Sequence, residues 1–351
     1  MSEAKGKKKR DKKPERIVVG GQAVMEGVMM QGPERMAVAV RRGDGKVALK
    51  IKPIKKLSDK YPILGWPVIR GVANFVSMLV VGMRTLTESA EMAGFDVEEP
   101  SAFEKKVAKA FRMKPDDVMM LMAVVLAIVL AIGLFFALPI GIESLLRRVL
   151  SHPVALNLIG GVIRIAVFLI YVLAVSRIKE IRRVFQYHGA EHKSVFCFEA
   201  GKELTVENAR EFSTLHPRCG TSFLVIVMVI SIFLFTLLGT NSPNFLWRLG
   251  SRLLLLPLVA GLSYEALRWL GRTDDNRFVR ALKWPGLMTQ KITTGEPDDK
   301  MLEVAVISLK AALNHPDPLP KELDPDYIPP EPESEPECEA EMVTDAGGDE
   351  A

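Results

Sequence analysis

The sequence predicts a mainly α-helical, polytopic membrane protein, with about four transmembrane helices and a small cytoplasmic β-containing part near the N-terminus. Three observations predict it. The apolar residues are pooled in long blocks, the first being Val118–Ile142, 25 residues without a charge, and a spanning helix needs about 20. The charges are pooled elsewhere, at the two ends and in one internal segment. Short alternating runs joined by a glycine-rich turn are confined to residues 17–57. The averages over 351 residues (48% hydrophobic, 25% charged, mean hydropathy +0.17) would describe an ordinary soluble chain and conceal this partition.

Residues 1–16 carry eight Lys or Arg against three acids and no apolar run follows. They read as a solvated disordered tail with some attraction to anionic headgroups, not as a signal peptide. In segment 17–60, Met36–Val40 and Lys46–Pro53 flank Arg-Arg-Gly-Asp-Gly and read as a β-hairpin. Just before them, Gly20–Pro33 (GGQAVMEGVMMQGP) fits neither a phosphate loop nor a dinucleotide fingerprint and reads as a tight turn beside the sheet. Segment 61–116 holds Val72–Met83, twelve apolar residues, predicted to be interfacial or re-entrant.

Segment 117–270 is the predicted membrane domain. Its spans are Val118–Ile142, bounded by Glu143; Val154–Ser176, broken only by Arg164; Phe223–Leu238; and a short fourth that reaches spanning length only as Leu249–Leu270. The segment 177–218 between the second and third spans holds eight Lys or Arg, whereas 143–153 and 240–252 hold two each. Positive charge marks the cytoplasmic side, so both termini and 177–218 are predicted to be cytoplasmic, in a cell membrane.

Segment 271–313 ends in a predicted amphipathic helix. Thr293–Asp299 (TTGEPDD) supplies capping residues and a Pro for the first turn, and Met301, Leu302, Val304, Ala305, Leu309 and Leu313 form its apolar stripe. Residues 314–351 are Pro-rich and acidic and read as disordered. Three cysteines, Cys197, Cys219 and Cys338, make no disulfide framework and point to a reducing compartment. No aromatic platform accompanies the basic head, so nucleic acid is not an expected partner; the lipid bilayer and a membrane-associated substrate are.

Three of the five histidines fall within residues 188–216. On a helix His188 and His192 share a face with Glu191 close by. This is the H-x-x-E-H arrangement in which two imidazoles hold zinc and the carboxylate serves as general base. Zinc lowers the pKa of a bound water toward about 7. A third ligand is required; His216 and, three residues on, Cys219 are the candidates. Three protein ligands would make an open, catalytic site and four a closed, structural one. Without metal, the histidines would instead hydrogen-bond Glu180, Glu199 or Glu203, or face lipid headgroups. Arg164, an intramembrane charge, marks either a functional path or a packing pair, with Glu265 as its candidate counter-ion. Arg70 is expected to snorkel to the interface.

The motifs GGQAVMEGVMMQGP, YHGAEHK followed by HPRCGTSF, LVAGLSYE and PGLMTQKITTGEPDD, in this order over residues 17–313, resemble the YqhQ family of bacterial membrane proteins. The resemblance implies multi-pass membrane character and a metal-dependent enzyme. It also gives the glycine-rich segment a role beyond a turn, with Glu26 beside the ligands or against substrate. The expected function is a zinc (or other divalent transition-metal) hydrolase at the cytoplasmic face: His188, His192, His216 and Cys219 as the ligand set, Glu191 as base. The alternative is a non-enzymatic scaffold or transporter in which any metal is structural.

Overall fold

The computed structural model describes residues 19–54, 61–95, 106–107, 109, 115–149, 152–238, 244–273 and 276–315. The basic head 1–16 and the acidic tail beyond His315 lie outside the described residues. Four strands, β1 (Gly20–Val24), β2 (Gly27–Gln31), β3 (Arg35–Arg41) and β4 (Val47–Pro53), form an antiparallel meander in sequence order. The glycine-rich segment is therefore not a turn beside the sheet but half of it. Met25–Glu26 is the two-residue connection, and Glu26 takes a left-handed φ of +50°. The meander was legible only for β3 and β4 because GGQAV and GVMMQ are short and apolar on both faces.

Both faces of the sheet are covered. Ala23, Val28, Met30, Ala37 and Ala39 pack on two helices, α5 (Lys179–Glu199) and α11 (Asp299–Leu313), while Val24, Met29, Val38 and Val40 pack on the end of α1 (Ile69–Ala93) around Met92. Helix α11 is wedged between sheet and α5, which is why Val306, Ile307, Ala311 and Ala312 are buried as well as the expected stripe. It begins later than expected. Asp298 is the N-cap, accepting from the Met301 N–H at 2.8 Å, and Pro297 precedes the cap rather than sitting in the first turn.

The remaining helices form an apolar bundle. Helix α2 (Pro115–Ile132) runs through a π turn, Gly133–Ala137, into α3 (Leu138–Leu146), and α4 (Pro153–Val175) returns beside it. Helix α6 (Val206–Arg210) lies on α5 and α11; α7 (Thr221–Leu238) packs on α4. The fourth expected span is two helices, α8 (Phe245–Leu254) and α9 (Leu256–Arg272), bent by 41°. Pro257 lies just past the bend and has no N–H to continue the ladder. Helix α10 (Arg277–Thr293) runs along α7. Three of the described helices are long and apolar enough to cross a membrane, or four if the bent pair is one span. Leu126, Leu130, Val162, Ile170, Phe233 and Leu237 are each more than half exposed on the bundle's outside.

Helix α1, expected to be interfacial or re-entrant, is one of the three, whereas α7, the expected third span, is shorter. The N-terminal half of α1 runs beside α9 and the start of α7, with Phe75 and Phe223 rings 5.5 Å apart. Its C-terminal half lies on the sheet, where Ser89 Oγ accepts from the Met25 N–H.

Two charge expectations are corrected. Glu143 does not end a span at a polar boundary; it is fully buried within α3, which continues to Leu146, and is paired with Arg248 and Arg252. Glu265 is not the partner of Arg164: it binds Arg70 through two contacts of 2.7 and 2.5 Å, so Arg70 does not snorkel. Sequence depth could not reveal this, because Arg70 reaches the same level as Glu265 only through the packing of α1 on α9.

Candidate functional site

Helix α5 is polar at its start and buried from Tyr187 onward, where it passes between the sheet, α11 and the loop that follows α10. The i, i+4 spacing stacks His188 on His192, ring centroids 4.4 Å apart. Each ring is fixed by a backbone carbonyl from a different segment. His188 Nδ1–H donates to Thr293 O at the end of α10 (2.9 Å), and His192 Nδ1–H donates to Thr214 O. Since a carbonyl can only accept, both rings are held as Nδ1–H tautomers with the Nε2 lone pair free. His188 Nε2 then faces Cys219 Sγ at 3.2 Å, while His192 Nε2 is buried without a hydrogen-bond partner.

Cys219 sits just before α7, its sulfur accepting from the Thr221 N–H (3.4 Å) and touching Thr221 Oγ1 (3.2 Å). One ligand atom from each of His188, His192 and Cys219 lies within 4.8 Å of the others. Two metal bonds of about 2.0–2.3 Å at a tetrahedral angle separate ligand atoms by roughly 3.5 Å, so this donor set fits a zinc-like ion with small adjustments. An orphaned imidazole nitrogen inside a protein costs free energy unless something binds it. Backbone carbonyls orienting both rings are the usual support for ligating histidines. His188 is half-buried, so the group opens to solvent on that side.

His216 is brought close but set differently. Its ring is 5.6 Å from that of His192 and 4.3 Å from Phe196. Its Nδ1 accepts from the Arg218 N–H (3.2 Å), which places the hydrogen of the neutral ring on Nε2; that nitrogen is 3.6 Å from Glu199 and, like His192 Nε2, buried without a hydrogen-bond partner. An Nε2–H cannot ligate, so in this tautomer the group that could hold an ion is His188, His192 and Cys219, with His216 beside it. Burial holds the His216 imidazole below its usual pKa, with Glu191 opposing. The backbone of His216 is clamped by Gln290, whose Oε1 accepts from His216 N (2.8 Å) and whose Nε2 donates to His216 O (2.9 Å).

Glu191 is buried on the same helix and meets β1. The Gly21 N–H donates to it, and a Cβ on Gly21 would stand 2.9 Å from Glu191 Cγ. Burial pushes its carboxyl above the ordinary range, against the pull of His188, His216 and the Gly21 N–H. Glu26, in the β1–β2 turn, meets α5 closer to that helix's N-terminus. It pairs with Arg183 and accepts from Tyr187 OH at 3.3 Å, so it anchors the hairpin to α5 and does not contact the histidines directly. Arg164 is buried far along α4 in the bundle, over the Phe235 ring at 5.2 Å.

Thr214, Gln290, Thr293 and Gly21 were not singled out from sequence. Three of them act through backbone groups, which residue identity does not advertise, and the burial of Gln290 against His216 is decided only by the packing of α10. Beside the group, α7, α9 and α10 enclose a cleft of about 190 Å³ lined by Ser222, Val225, Ile226, Leu267 and Leu282, with Arg218 at the His216 end.

Residues 66–315 match the model of a family described as protein of unknown function, DUF1385. The chain is 34% identical over 297 residues to "Uncharacterized protein YqhQ" of Bacillus subtilis (strain 168), covering 84% of this chain and 92% of that one. No solved structure matches the chain at a significant level. A family match across most of the chain, joined to a relative aligned nearly end to end, makes this protein a member of the DUF1385 family that includes YqhQ.

Proposed function

We propose that the protein is an integral membrane enzyme whose cytoplasmic face holds a divalent transition metal, zinc by donor chemistry, and hydrolyses an ester, amide or phosphoester of a membrane-associated substrate. The observation that carries this reading is the convergence of His188, His192 and Cys219 within 4.8 Å, with His192 Nε2 buried and unpartnered. The exposed apolar belt on the bundle supports the membrane setting, and the basic 177–218 segment supports a cytoplasmic site and cytoplasmic termini. The metal would supply a Lewis acid and a nucleophile available at neutral pH.

The chain's own residues supply the rest. The carbonyls of Thr214 and Thr293 hold the two imidazoles in the ligating tautomer. Glu191, its carboxyl raised above the ordinary range by burial, is the group that takes and returns a proton. The apolar cleft beside Cys219 receives the hydrophobic part of the substrate and excludes water.

Metal content of the purified full-length protein tests the reading. His192→Ala should lose bound metal, and Glu191→Gln should keep it while abolishing turnover. Full metal content in His192→Ala, or none in wild type, overturns the assignment. A second reading rests on the 3.2 Å His188–Cys219 contact: a metal-free thiol–imidazole pair with Cys219 as nucleophile. Wild-type protein free of metal yet alkylated at Cys219 would favour it.

A further inference from the structure

At the other end of the bundle lies a second constellation that the histidine site does not use. Glu143 on α3 is fully buried, and around it stand Arg248 and Arg252 on α8, each 4% exposed, and Arg164 on α4, 8% exposed. Arg248 Nη2 and Arg252 Nη2 reach the Glu143 oxygens at 2.7 and 3.1 Å, and Arg248 Nη1 donates to Ser144 Oγ at 2.9 Å. Phe235 on α7 packs against both Arg164 (5.2 Å) and Arg252 (5.5 Å).

The charge does not balance. Guanidinium groups stay protonated, so three cations face one carboxylate. Among the described residues these helices offer no other carboxylate: Glu143 is the only acid between Asp117 and Glu180, and none occurs between Glu211 and Glu265. Arg164 Nε and Nη2, Arg248 Nε and Arg252 Nη1 are buried without a hydrogen-bond partner. A buried unpaired cation is costly, and among the described residues about two of these positive charges have no counter-charge.

Helix α8 is turned inside out to keep the arginines there: Leu246, Trp247 and Leu254 are 73, 68 and 83% exposed while Arg248 and Arg252 point inward. That arrangement wastes four guanidinium donors unless an acceptor enters. Phe235 is fourteen residues along α7 from Thr221, about 21 Å of helix, so this cluster is separate from the histidine group and stands whether or not a metal binds there.

We infer that Arg164, Arg248 and Arg252 form a binding site for a phosphate group, on a lipid headgroup or on a soluble compound. Phosphate carries two charges near neutral pH and offers acceptor oxygens in several directions. That matches converging guanidinium forks better than a halide does. Glu143 holds Arg248 and Arg252 in place and weakens the site by its own charge.

The test is thermal unfolding of full-length protein in neutral detergent, titrated with inorganic phosphate in one arm and with phosphatidic acid against phosphatidylcholine in mixed micelles in the other. Saturable stabilisation by phosphate identifies a site open to soluble ligands; stabilisation by phosphatidic acid alone identifies a lipid headgroup site. Arg164→Gln should weaken the apparent affinity at least tenfold, and Glu143→Gln should strengthen it. Absence of saturable stabilisation of the wild type by both probes overturns the inference. So does equal stabilisation by chloride at the same ionic strength, or an unchanged affinity in either variant.

Discussion

Gly189 lies directly beneath Gly295: a Cβ on Gly189 would stand 2.0 Å from the Gly295 carbonyl oxygen, and the Gly295 N–H donates to Phe185 O at 2.7 Å. The glycine between the two site histidines is therefore the groove into which the loop after α10 settles, and that loop begins with the Thr293 carbonyl that orients His188. A glycine inside a helix costs about 1 kcal/mol relative to alanine, yet here alanine is the damaging residue. Gly189→Ala should destabilise the protein by about 1–3 kcal/mol, read as a lowered Tm, and should reduce metal content by releasing His188.

The ligand set can be resolved by comparing two variants. Cys219→Ser should lower metal affinity at least tenfold, because a hydroxyl replaces a thiolate. His216→Ala should leave stoichiometric metal, because its Nδ1 accepts from Arg218 and its Nε2 carries hydrogen. Metal analysis after dialysis against a weak chelator checks this. Loss of metal in His216→Ala would show that the ring turns over and ligates.

Glu26 combines a left-handed backbone with an anchoring side chain. Left-handed geometry costs an L-residue roughly 1–2 kcal/mol, and glycine avoids that. Glu26→Ala should thus be more destabilising than Glu26→Gly by about 1 kcal/mol, with Arg183→Ala reproducing only the loss of the ion pair. Chemical unfolding of the three variants measures the ordering.

The two described cysteines should differ in reactivity. Cys197 is fully buried, its S–H donating to Glu203 O at 3.3 Å, and burial pushes its thiol above the usual range. With the folded pKa raised, the thiol stays protonated past its ordinary value of 9.0, and the stability it contributes is complete below 9.0 and lost as pH rises from there through the folded value. Iodoacetamide at pH 8 should leave Cys197 unmodified in native protein, by peptide mass analysis, and modify it after denaturation. Cys219 should become reactive once metal is chelated.

Much of the candidate site was legible because its spacing is local. His188, Glu191 and His192 fall on one stretch of α5 by helical periodicity alone, and the His216–Cys219 pair is adjacent in sequence. The tautomer of each ring was not legible, since it depends on carbonyls 22 and 105 residues away. Likewise β3 and β4 announced themselves through a turn, whereas β1 and β2 are apolar on both faces because α1 and α5 cover both sides.

The amino-acid sequence by itself determines the apolar blocks, the charge partition, the one histidine-rich helix and the family. Those properties are local: they depend on composition and period within one segment. Tertiary structure alone decided that Arg70 takes Glu265, that Glu143 goes inward to Arg248 and Arg252, and that Cys219 rather than His216 completes the tightest group. Each is a choice among partners far apart in sequence, and such choices are made by which helices pack together, where one register of contact excludes the others.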